Sequence, residues 1–313
     1  MLRSMRSGTI VLGYHGVAID EEIHDPWVQR SQTALSEFRA HLEFIGNNFE
    51  VVSADETLEQ SSRKRRIHLS FDDGYVGFAD HAVPLLNEYG FPASVYVVTD
   101  ALTDETRLPP YIGRAALGHC EPGELTLDSI RFKSEITDRN SRLAVYSEVS
   151  MVLKTGNSVT SASLVDELIA LIPNDQWTSI NQKYNTDSLM PWETLRKVSD
   201  AGFTVGAHTK SHLSLSDKQA GAEIENEVAG SVNAVRQELG SCDWFAYPNG
   251  TIDDWSLAAA AAVKNAGVKG AWTLEPGVIR NPSELNPHRL PRFSVPRSQD
   301  RFTLLLNMAL VQN

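Results

Sequence analysis

The sequence predicts an α/β fold: a distorted (β/α) barrel of about seven parallel strands that carries a mostly helical insertion. Short apolar and β-branched runs alternate along the chain with segments of helical periodicity. Such alternation is typical of parallel sheets whose crossovers are helices. The alternation stops between residues 100 and 188, where the chain is polar and mixed. We therefore expect one domain over residues 1–313, with an insertion at about residues 101–189 between two barrel strands.

The part of the chain before the insertion contains three predicted strands and two predicted helices. Residues 9–14 and 67–71 are apolar runs, and residues 93–98 are rich in β-branched side chains, as expected of buried strands. Between them, residues 36–49 repeat apolar side chains at helical spacing. Residues 78–89 form a second helical pattern, which a glycine and a proline end at positions 90 and 92.

The insertion and the part that follows it complete the prediction. Helical patterns cover residues 141–153 and 162–172 of the insertion, which is either a decorative excursion or a lid that shapes a substrate site. After it, the predicted helices at 190–201, 216–239 and 255–265 each end at or near a glycine. They alternate with the predicted strands at 203–207, 244–247 and 268–273, and a last helix is predicted at 301–308.

Composition excludes several classes of protein. The chain of 313 residues is 42% hydrophobic, enough for a large core, and its formal net charge of −12 argues against binding to nucleic acid. No apolar run is long enough to span a membrane, and the N-terminus lacks the apolar core of a signal peptide, so we expect a cytoplasmic protein. The two cysteines, Cys120 and Cys242, are too few for a disulfide framework and lack metal-site spacing.

Two carboxylates stand where the strand at 67–71 ends. Asp72 and Asp73 precede Gly74, so both can line one cleft once the chain turns. Adjacent carboxylates can take different roles, one binding a metal ion and the other handling a proton. The alternative is a solvated turn in which an aspartate caps the following helix.

Two histidines follow the strand at 203–207 and supply the matching donors. His208 and His212 lie four residues apart in the segment HTKSH, so both imidazoles can face one ion. Parallel strands place their carboxyl ends at one rim, where these histidines would meet Asp72 and Asp73. Two histidines and one carboxylate form a catalytic metal set that leaves positions open for water or substrate. Two unrelated surface histidines are the alternative.

Two further segments are expected at the same rim. Asn249 lies between a proline and a glycine after the strand at 244–247, and its backbone N–H can stabilise a negative oxygen there. An ordinary turn is the competing interpretation of this segment. His15 ends the first strand, where it is either structural or a proton donor.

In these motifs the chain resembles the polysaccharide deacetylases, carbohydrate esterase family four, from residue 9 to about residue 296 outside the insertion. The segment SFDDG at 70–74 is similar to the family's T-F-D-D-G motif, and HTKSH at 208–212 matches its H-[ST]-x-x-H motif. The resemblance implies that Asp72 is the catalytic base. It also implies that Asp73, His208 and His212 bind the metal.

The third family motif, R-P-P-Y-G, is altered to AYPNG at 246–250, where Ala246 replaces the arginine that usually holds the base. The opening YHGV at 14–17 resembles a circularly permuted branch of biofilm-polysaccharide deacetylases. By that similarity His15 is the general acid, and Arg292, in a late L-P-R segment, takes over the role of the missing arginine. His288 is a competing acid without a matched motif.

The combined prediction is a metal-dependent hydrolase that removes an N-acyl group, most simply N-acetyl, from an amino sugar or glycan precursor in surface-polysaccharide metabolism. The expected cofactor is a divalent ion, zinc first, with iron, cobalt, nickel and manganese as alternatives. The substrate is an N-acetylated sugar, a nucleotide-linked sugar or an oligosaccharide. Tyr75, Trp192 and Trp272 either line a sugar site or belong to the core.

Two rival functions remain open from the sequence. The departures at Ala246 and Asn249 allow a catalytically degenerate sugar-binding protein on the same barrel. Two histidines with one carboxylate also suit a non-haem iron oxygenase.

Overall fold

A computed structural model describes residues 8–60, 65–103, 107–296 and 299–311 of the chain. Residues 1–7, on which the expectation of a missing signal peptide depends, lie outside this described part. The strands are β1 (Gly8–Tyr14), β2 (Gly16–Ala18), β3 (Gln32–Ala34), β4 (Glu50–Val51), β5 (Arg65–Phe71), β6 (Ala93–Val97), β7 (Gly123–Leu127), β8 (Phe132–Ile136), β9 (Thr204–Ala207), β10 (Trp244–Ala246), β11 (Gly270–Trp272) and β12 (Phe293–Ser294).

Helices follow most of the strands of the main sheet, as the alternation predicts. They are α1 (Leu35–Asn48), α2 (Val83–Tyr89), α3 (Thr99–Thr103), α4 (Pro109–His119), α5 (Arg139–Thr155), α6 (Ser158–Ala170), α7 (Asn174–Lys183), α8 (Trp192–Asp200), α9 (Gly221–Leu239), α10 (Leu257–Asn265) and α11 (Gln299–Val311). A π-helical turn, Phe78–Ala82, precedes α2. Within the described residues, no helix is both long and apolar enough to cross a bilayer.

Seven strands form one parallel sheet in the order β11-β10-β9-β6-β5-β1-β12, with β4 paired to the start of β5. β1 and β5 pair along their whole length. The segment 290–294 joins the two edges of the sheet. Its Phe293, in the edge strand β12, pairs with Leu12 of β1, and its Leu290 bridges Trp272 of β11 at the opposite edge. The predicted distorted barrel of about seven parallel strands is therefore confirmed.

Side chains alternate across the barrel wall and create two apolar layers. In β5, Leu69 and Phe71 point outwards into the cluster under the surrounding helices. On the inner side, the rings of Trp244 and Trp272 stack with centroids 4.8 Å apart and fill the barrel. His68 faces the same interior and stacks on Trp272. Because side chains alternate between the two faces of β5, the even-numbered positions that follow His68 point into the barrel mouth.

The insertion leaves the barrel after β6, returns before β9 and has its own apolar cluster. It contains α4 to α7 and an antiparallel hairpin, β7–β8, which the sequence analysis did not predict because its strands are mostly exposed. Its last residues pair with the barrel rim: Tyr75 bridges Leu189, and the Met190 N–H donates to the Gly74 carbonyl at 2.8 Å. The insertion thus ends beside the carboxylate pair.

Several predicted boundaries are wrong for local reasons. The helix expected at 216–239 begins at Gly221, because the Gln219 N–H donates to the Ser216 carbonyl and the chain first makes a turn. The helix expected at 255–265 begins at Leu257, since the Ser256 side chain caps it by accepting from the Ala259 N–H.

Candidate active site

The carboxyl ends of four barrel strands converge on one cavity of about 1190 Å³. β1 leads to His15, β5 to Asp72 and Asp73, β9 to His208, and β10 to Asn249. Seven of the eight predicted site residues line this cavity, and the eighth, Arg292, lies behind Asp72. A large part of the remaining wall comes from the insertion, on α4, α5 and α6, and another part from within residues 26–33. The contribution of the insertion favours the lid interpretation over a decorative excursion.

Asp73, His208 and His212 bring three ligand atoms together at the rim. The Asp73 Oδ1 atom lies 3.2 Å from His212 Nε2 and 3.5 Å from His208 Nε2. All three ligand atoms lie within 4.8 Å of one another. A tetrahedral ion about 2.1 Å from each ligand would separate the ligand atoms by about 3.4 Å. The distances to Asp73 therefore fit one bound divalent ion.

The hydrogen bonds around these ligands also suit a metal. His208 donates its Nδ1–H to the Ala246 carbonyl at 2.7 Å, so Nε2 carries the lone pair that faces Asp73 and His212. Metal-binding histidines commonly donate their other ring N–H in this way, which fixes the tautomer and the ring orientation. Asp73 Oδ1 is buried without a hydrogen-bond partner. A buried carboxylate oxygen without a partner is destabilising unless a cation satisfies it.

Strained backbone holds the rim residues in place. Five non-glycine residues of the described part have positive φ, and four belong to this site: Asp73, Thr209, His212 and Asn249. Such conformations are rare outside glycine and persist when the surroundings over-determine them.

Glu227 of α9 supplies part of that constraint on the histidine segment. It accepts from the backbone N–H groups of Lys210 and Ser211 at 2.9 and 3.0 Å, and from the Ser211 hydroxyl at 2.8 Å. The sequence analysis missed this residue. Its only signal is an acid beside the apolar residues Ile224 and Val228 on the buried face of α9.

Asp72 is held by Arg292 through two parallel hydrogen bonds. Arg292 Nη1 donates to Asp72 Oδ1 at 2.6 Å, and Nη2 donates to Oδ2 at 2.7 Å. The arginine is fully buried, and it also donates to the Ser70 hydroxyl and to the Thr273 carbonyl. Gly13 leaves room for it, because a Cβ there would lie 3.3 Å from Arg292 Nε. Ala246 cannot make this contact, and Arg292 reaches Asp72 from the residue just before β12.

The pKa values of the paired carboxyls follow from this arrangement. Burial alone would raise the pKa of Asp72, but the nearby charges of Arg292 and His208 outweigh it and lower that pKa. Burial likewise opposes ionisation of Asp73, but the adjacent His212 and His208 outweigh it and hold the pKa of Asp73 well below the usual range. Both side chains are therefore carboxylates at neutral pH, one beside an arginine and the other among histidines.

His15 faces the two carboxylates from the end of β1. Burial lowers the pKa of His15, and the negative charges of Asp73 and Asp72 oppose that shift without reversing it. The same carboxylates act more strongly on His208, where they outweigh burial and raise its pKa.

Asn249 and Tyr75 complete the predicted set. The Asn249 side chain donates to the Ser214 hydroxyl at 2.8 Å, and its backbone has φ of 59°. Among the described residues, no protein acceptor takes the Asn249 backbone N–H, which is thus available at the cavity. Tyr75 is buried and lines the cavity next to the rim.

Three residues considered from the sequence lie elsewhere. His288 contacts the Val268 carbonyl with Nε2 at 3.2 Å, near the amino end of β11 and away from the rim. Trp272 is fully buried inside the barrel, and Trp192 packs against the outer core. The aromatic residues of the cavity, besides Tyr14 and Tyr75, are instead Trp27 and Tyr146, which the sequence analysis missed because neither belongs to a motif.

A family model described as "Polysaccharide deacetylase" matches residues 59–270, more than half of the chain. The chain belongs to the polysaccharide deacetylase family. The recognition of this family from the motifs at 70–74 and 208–212 is therefore confirmed. Members of the family are hydrolases that act on acetylated polysaccharides.

Solved structures of deacetylases share the fold. The Streptococcus pyogenes deacetylase PplD in complex with acetate is 12% identical with a TM-score of 0.61, and the match covers 98% of this chain and 100% of PplD. IcaB from Ammonifex degensii is 15% identical with a TM-score of 0.61, over 98% of this chain and 99% of IcaB. The BpsB deacetylase domain from Bordetella bronchiseptica is 16% identical with a TM-score of 0.54, over 92% and 95%. No curated protein matches the sequence.

Proposed function

We propose that the chain is a metal-dependent carbohydrate N-deacetylase that hydrolyses the N-acetyl group of an amino sugar. The observation that carries the proposal is the arrangement of Asp73, His208 and His212 around one point, directly beside Asp72 in its bidentate contact with Arg292. This set combines three metal ligands with an ionised carboxylate that is not needed as a ligand. Family membership supports the reaction class.

The three ligands would hold a divalent ion, with zinc as the first expectation and iron, cobalt, nickel or manganese as alternatives. When bound, such an ion supplies a water of lowered pKa and polarises the amide carbonyl. Two histidines and one carboxylate leave open positions for both groups.

The remaining roles belong to this chain's own side chains. Asp72 accepts the proton of the attacking water, and Arg292 orients it while each carboxylate oxygen keeps a lone pair for that purpose. The Asn249 backbone N–H donates to the negative oxygen that develops on the amide carbon. His15, once protonated, gives its proton to the departing amine, a contribution of roughly a hundredfold to ten-thousandfold for a positioned acid. Tyr75 positions the sugar.

The two rival functions receive less support. The degenerate sugar-binding alternative rested on the loss of the motif arginine at Ala246, and the contact of Arg292 with Asp72 weakens that argument. An iron oxygenase has no use for a second carboxylate held by an arginine beside the metal ligands. Work in the cytoplasm on a nucleotide-linked or other precursor sugar stays a prediction.

The test is release of acetate from N-acetylated sugars by the purified chain. We expect turnover with zinc, loss of turnover after a chelator removes the ion, and recovery when the ion is added back. Substrates should include free, nucleotide-linked and oligomeric N-acetylglucosamine. Binding of these sugars without acetate release, in protein that contains the metal, would favour the sugar-binding alternative and overturn the proposal.

A further inference from the structure

The charge of the cavity is opposite to the charge of the chain. The formal net charge is −12, yet beyond Asp72 and Asp73 the cavity is lined by one acid, Asp166, and several bases. The cationic residues among the lining are Arg30, Arg114, Arg139, Lys154 and Arg301. A cleft whose lining has an excess of one sign of charge concentrates ligands of the opposite sign. A neutral acetylated sugar would gain nothing from this distribution.

Arg114 of α4 is the most constrained of these cations. Its side chain is only 4% exposed; Nε donates to the Val28 carbonyl at 2.8 Å and Nη1 to the Tyr146 hydroxyl at 3.1 Å. Nη2 is buried without a partner. The buried Asp187 is near enough for its charge to act on Arg114, but among the described residues the two form no ion pair within 4 Å. The insertion therefore presents a buried, fixed donor that needs an acceptor.

Arg114 also lies close to the reaction centre. Burial raises the pKa of Tyr75, and Asp73, Asp187 and Arg114 are all near enough for their charges to act on it as well. Tyr75 and Arg114 both line the cavity. A sugar whose amide reaches the three metal ligands can therefore extend a second group past Tyr75 towards Arg114.

The cationic wall continues outwards along one face of α5. Tyr146, Ser150 and Lys154 recur every four residues and line the cavity together. Lys154 is exposed and has no ion-pair partner within the described residues, whereas Arg139 at the start of the helix lies 3.5 Å from Asp25.

We propose that the substrate is an N-acylated sugar that carries an anionic substituent, a phosphate or a carboxylate, and that Arg114 binds this substituent with Lys154 at the cavity mouth. The inference rests on the proposed deacetylase function and narrows its substrate class. The unpartnered Nη2 of this fixed guanidinium can donate a charge-assisted hydrogen bond to either anion. A phosphate and a carboxylate are two sources of the same chemistry, and the experiment separates them.

The first experiment measures binding to the zinc-loaded Asp72→Asn variant, so that turnover does not consume the ligand. The probes are N-acetylglucosamine, N-acetylglucosamine 1-phosphate and N-acetylmuramic acid, measured by calorimetry. We expect at least one anionic probe to bind tenfold or more tightly than the neutral sugar, and the advantage to shrink as NaCl rises from 50 to 500 mM. The anionic probe that binds more tightly identifies the substituent as a phosphate or a carboxylate. Equal affinity for all three probes overturns the inference.

The second experiment assigns the effect to the two side chains, in the same background. Arg114→Gln should reduce binding of the preferred anionic probe at least tenfold, and Lys154→Ala at least threefold, with binding of the neutral sugar unchanged within twofold. Arg142→Gln is the matched control in the insertion, because Arg142 donates to the Leu117 and Cys120 carbonyls and does not line the cavity. Lys133→Ala is the control for an exposed lysine.

Because Lys154 is exposed, Lys154→Ala is expected to fold even if Arg114→Gln does not. The assignment of the anion site to these side chains can then still be tested with Lys154→Ala. If both variants fold and the ratio of anionic to neutral binding stays that of the parent, the assignment is wrong. If the zinc-loaded parent chain releases acetate from none of the probes while the anionic probe still binds more tightly, the proposed reaction is contradicted. The binding preference is then unaffected.

Discussion

The barrel rim and the insertion line the same cavity, but they hold their side chains by different means. At the rim, strand ends and strained backbone determine each position, with four non-glycine residues at positive φ. In the insertion, the lining residues lie on regular helices, and Arg131, in the turn between β7 and β8, is its non-glycine residue of positive φ within the described part. The insertion helices depend on a separate apolar cluster that includes Val145, Val149 and Leu164. The rim is therefore suited to chemistry and the insertion to recognition.

Replacement of Asp72 at the rim is expected to have the largest effect on activity. Asp72→Asn keeps the shape of the side chain but cannot accept a proton, so we expect kcat to fall at least a hundredfold, with zinc content unchanged. Acetate release and metal analysis on the same preparation measure both quantities. Asp166→Asn, a change at the cavity wall on α6, serves as control and should leave kcat within twofold. Near-parental activity of Asp72→Asn would mean that another group is the base.

In the proposed function Arg292 positions Asp72, and its removal should affect the rim without affecting metal binding. Arg292→Gln leaves Asp72 buried without its partner, so we expect kcat to fall at least tenfold and the free energy of unfolding to fall by about 3–5 kcal/mol. Steady-state kinetics and urea denaturation measure these changes. Arg292→Lys should recover part of kcat, since it restores one cation, while KM and zinc content stay near the parent's. A structural role alone predicts no recovery of kcat per folded molecule.

A cavity in the core of the insertion should have the opposite pattern. Leu164 is fully buried on α6, so Leu164→Ala should reduce the free energy of unfolding of the insertion by about 2–5 kcal/mol. We expect KM to rise while kcat stays within threefold and zinc content is unchanged, as measured by hydrogen exchange, kinetics and metal analysis. Val159→Ala, on the same helix but 75% exposed, is the control and should change stability by less than about 0.5 kcal/mol. Loss of zinc in Leu164→Ala would show that the rim depends on the insertion core.

Acid should destabilise the folded barrel through its buried His41. Burial lowers the pKa of His41, which stacks on Phe302, to about 4, whereas an unfolded histidine titrates near about 6.5. Because the folded pKa is the lower one, stability from His41 is complete above pH of about 6.5 and is lost as pH falls towards 4, by about 3 kcal/mol. His41→Gln should remove that part of the pH dependence in urea denaturation at pH 7 and pH 4. The control His24→Gln, at an exposed histidine, should leave the pH dependence unchanged. An unchanged pH dependence of stability in His41→Gln would contradict the prediction.

The parts of the fold and the site that were predictable share a local signal. Apolar runs and glycine breaks identified most main-sheet strands, and the motifs brought Asp73, His208 and His212 to one rim because parallel strands end on the same side. Arg292 was predictable only through the family resemblance, since its contact with Asp72 joins residues 220 positions apart. β12, with two residues, is too short to give a pattern.

The other residues that were missed depend on tertiary contacts. Glu227 is an acid on a helix that looks merely amphipathic until α9 packs against the histidine segment. Trp27 and Tyr146 come from separate elements and meet edge to face at the cavity wall, with ring centroids 5.7 Å apart. The lining of the cavity by the insertion follows from where the chain returns to the rim at Leu189, which no local pattern records.

The proposed activity requires one divalent ion bound between Asp73, His208 and His212. Anomalous diffraction at the zinc edge, from crystals of the zinc-loaded chain, would locate that ion. We predict a single strong peak about 2.0–2.2 Å from a carboxylate oxygen of Asp73 and from both Nε2 atoms. A zinc peak located elsewhere, or no peak at the rim in protein that releases acetate, would contradict the proposed metal site.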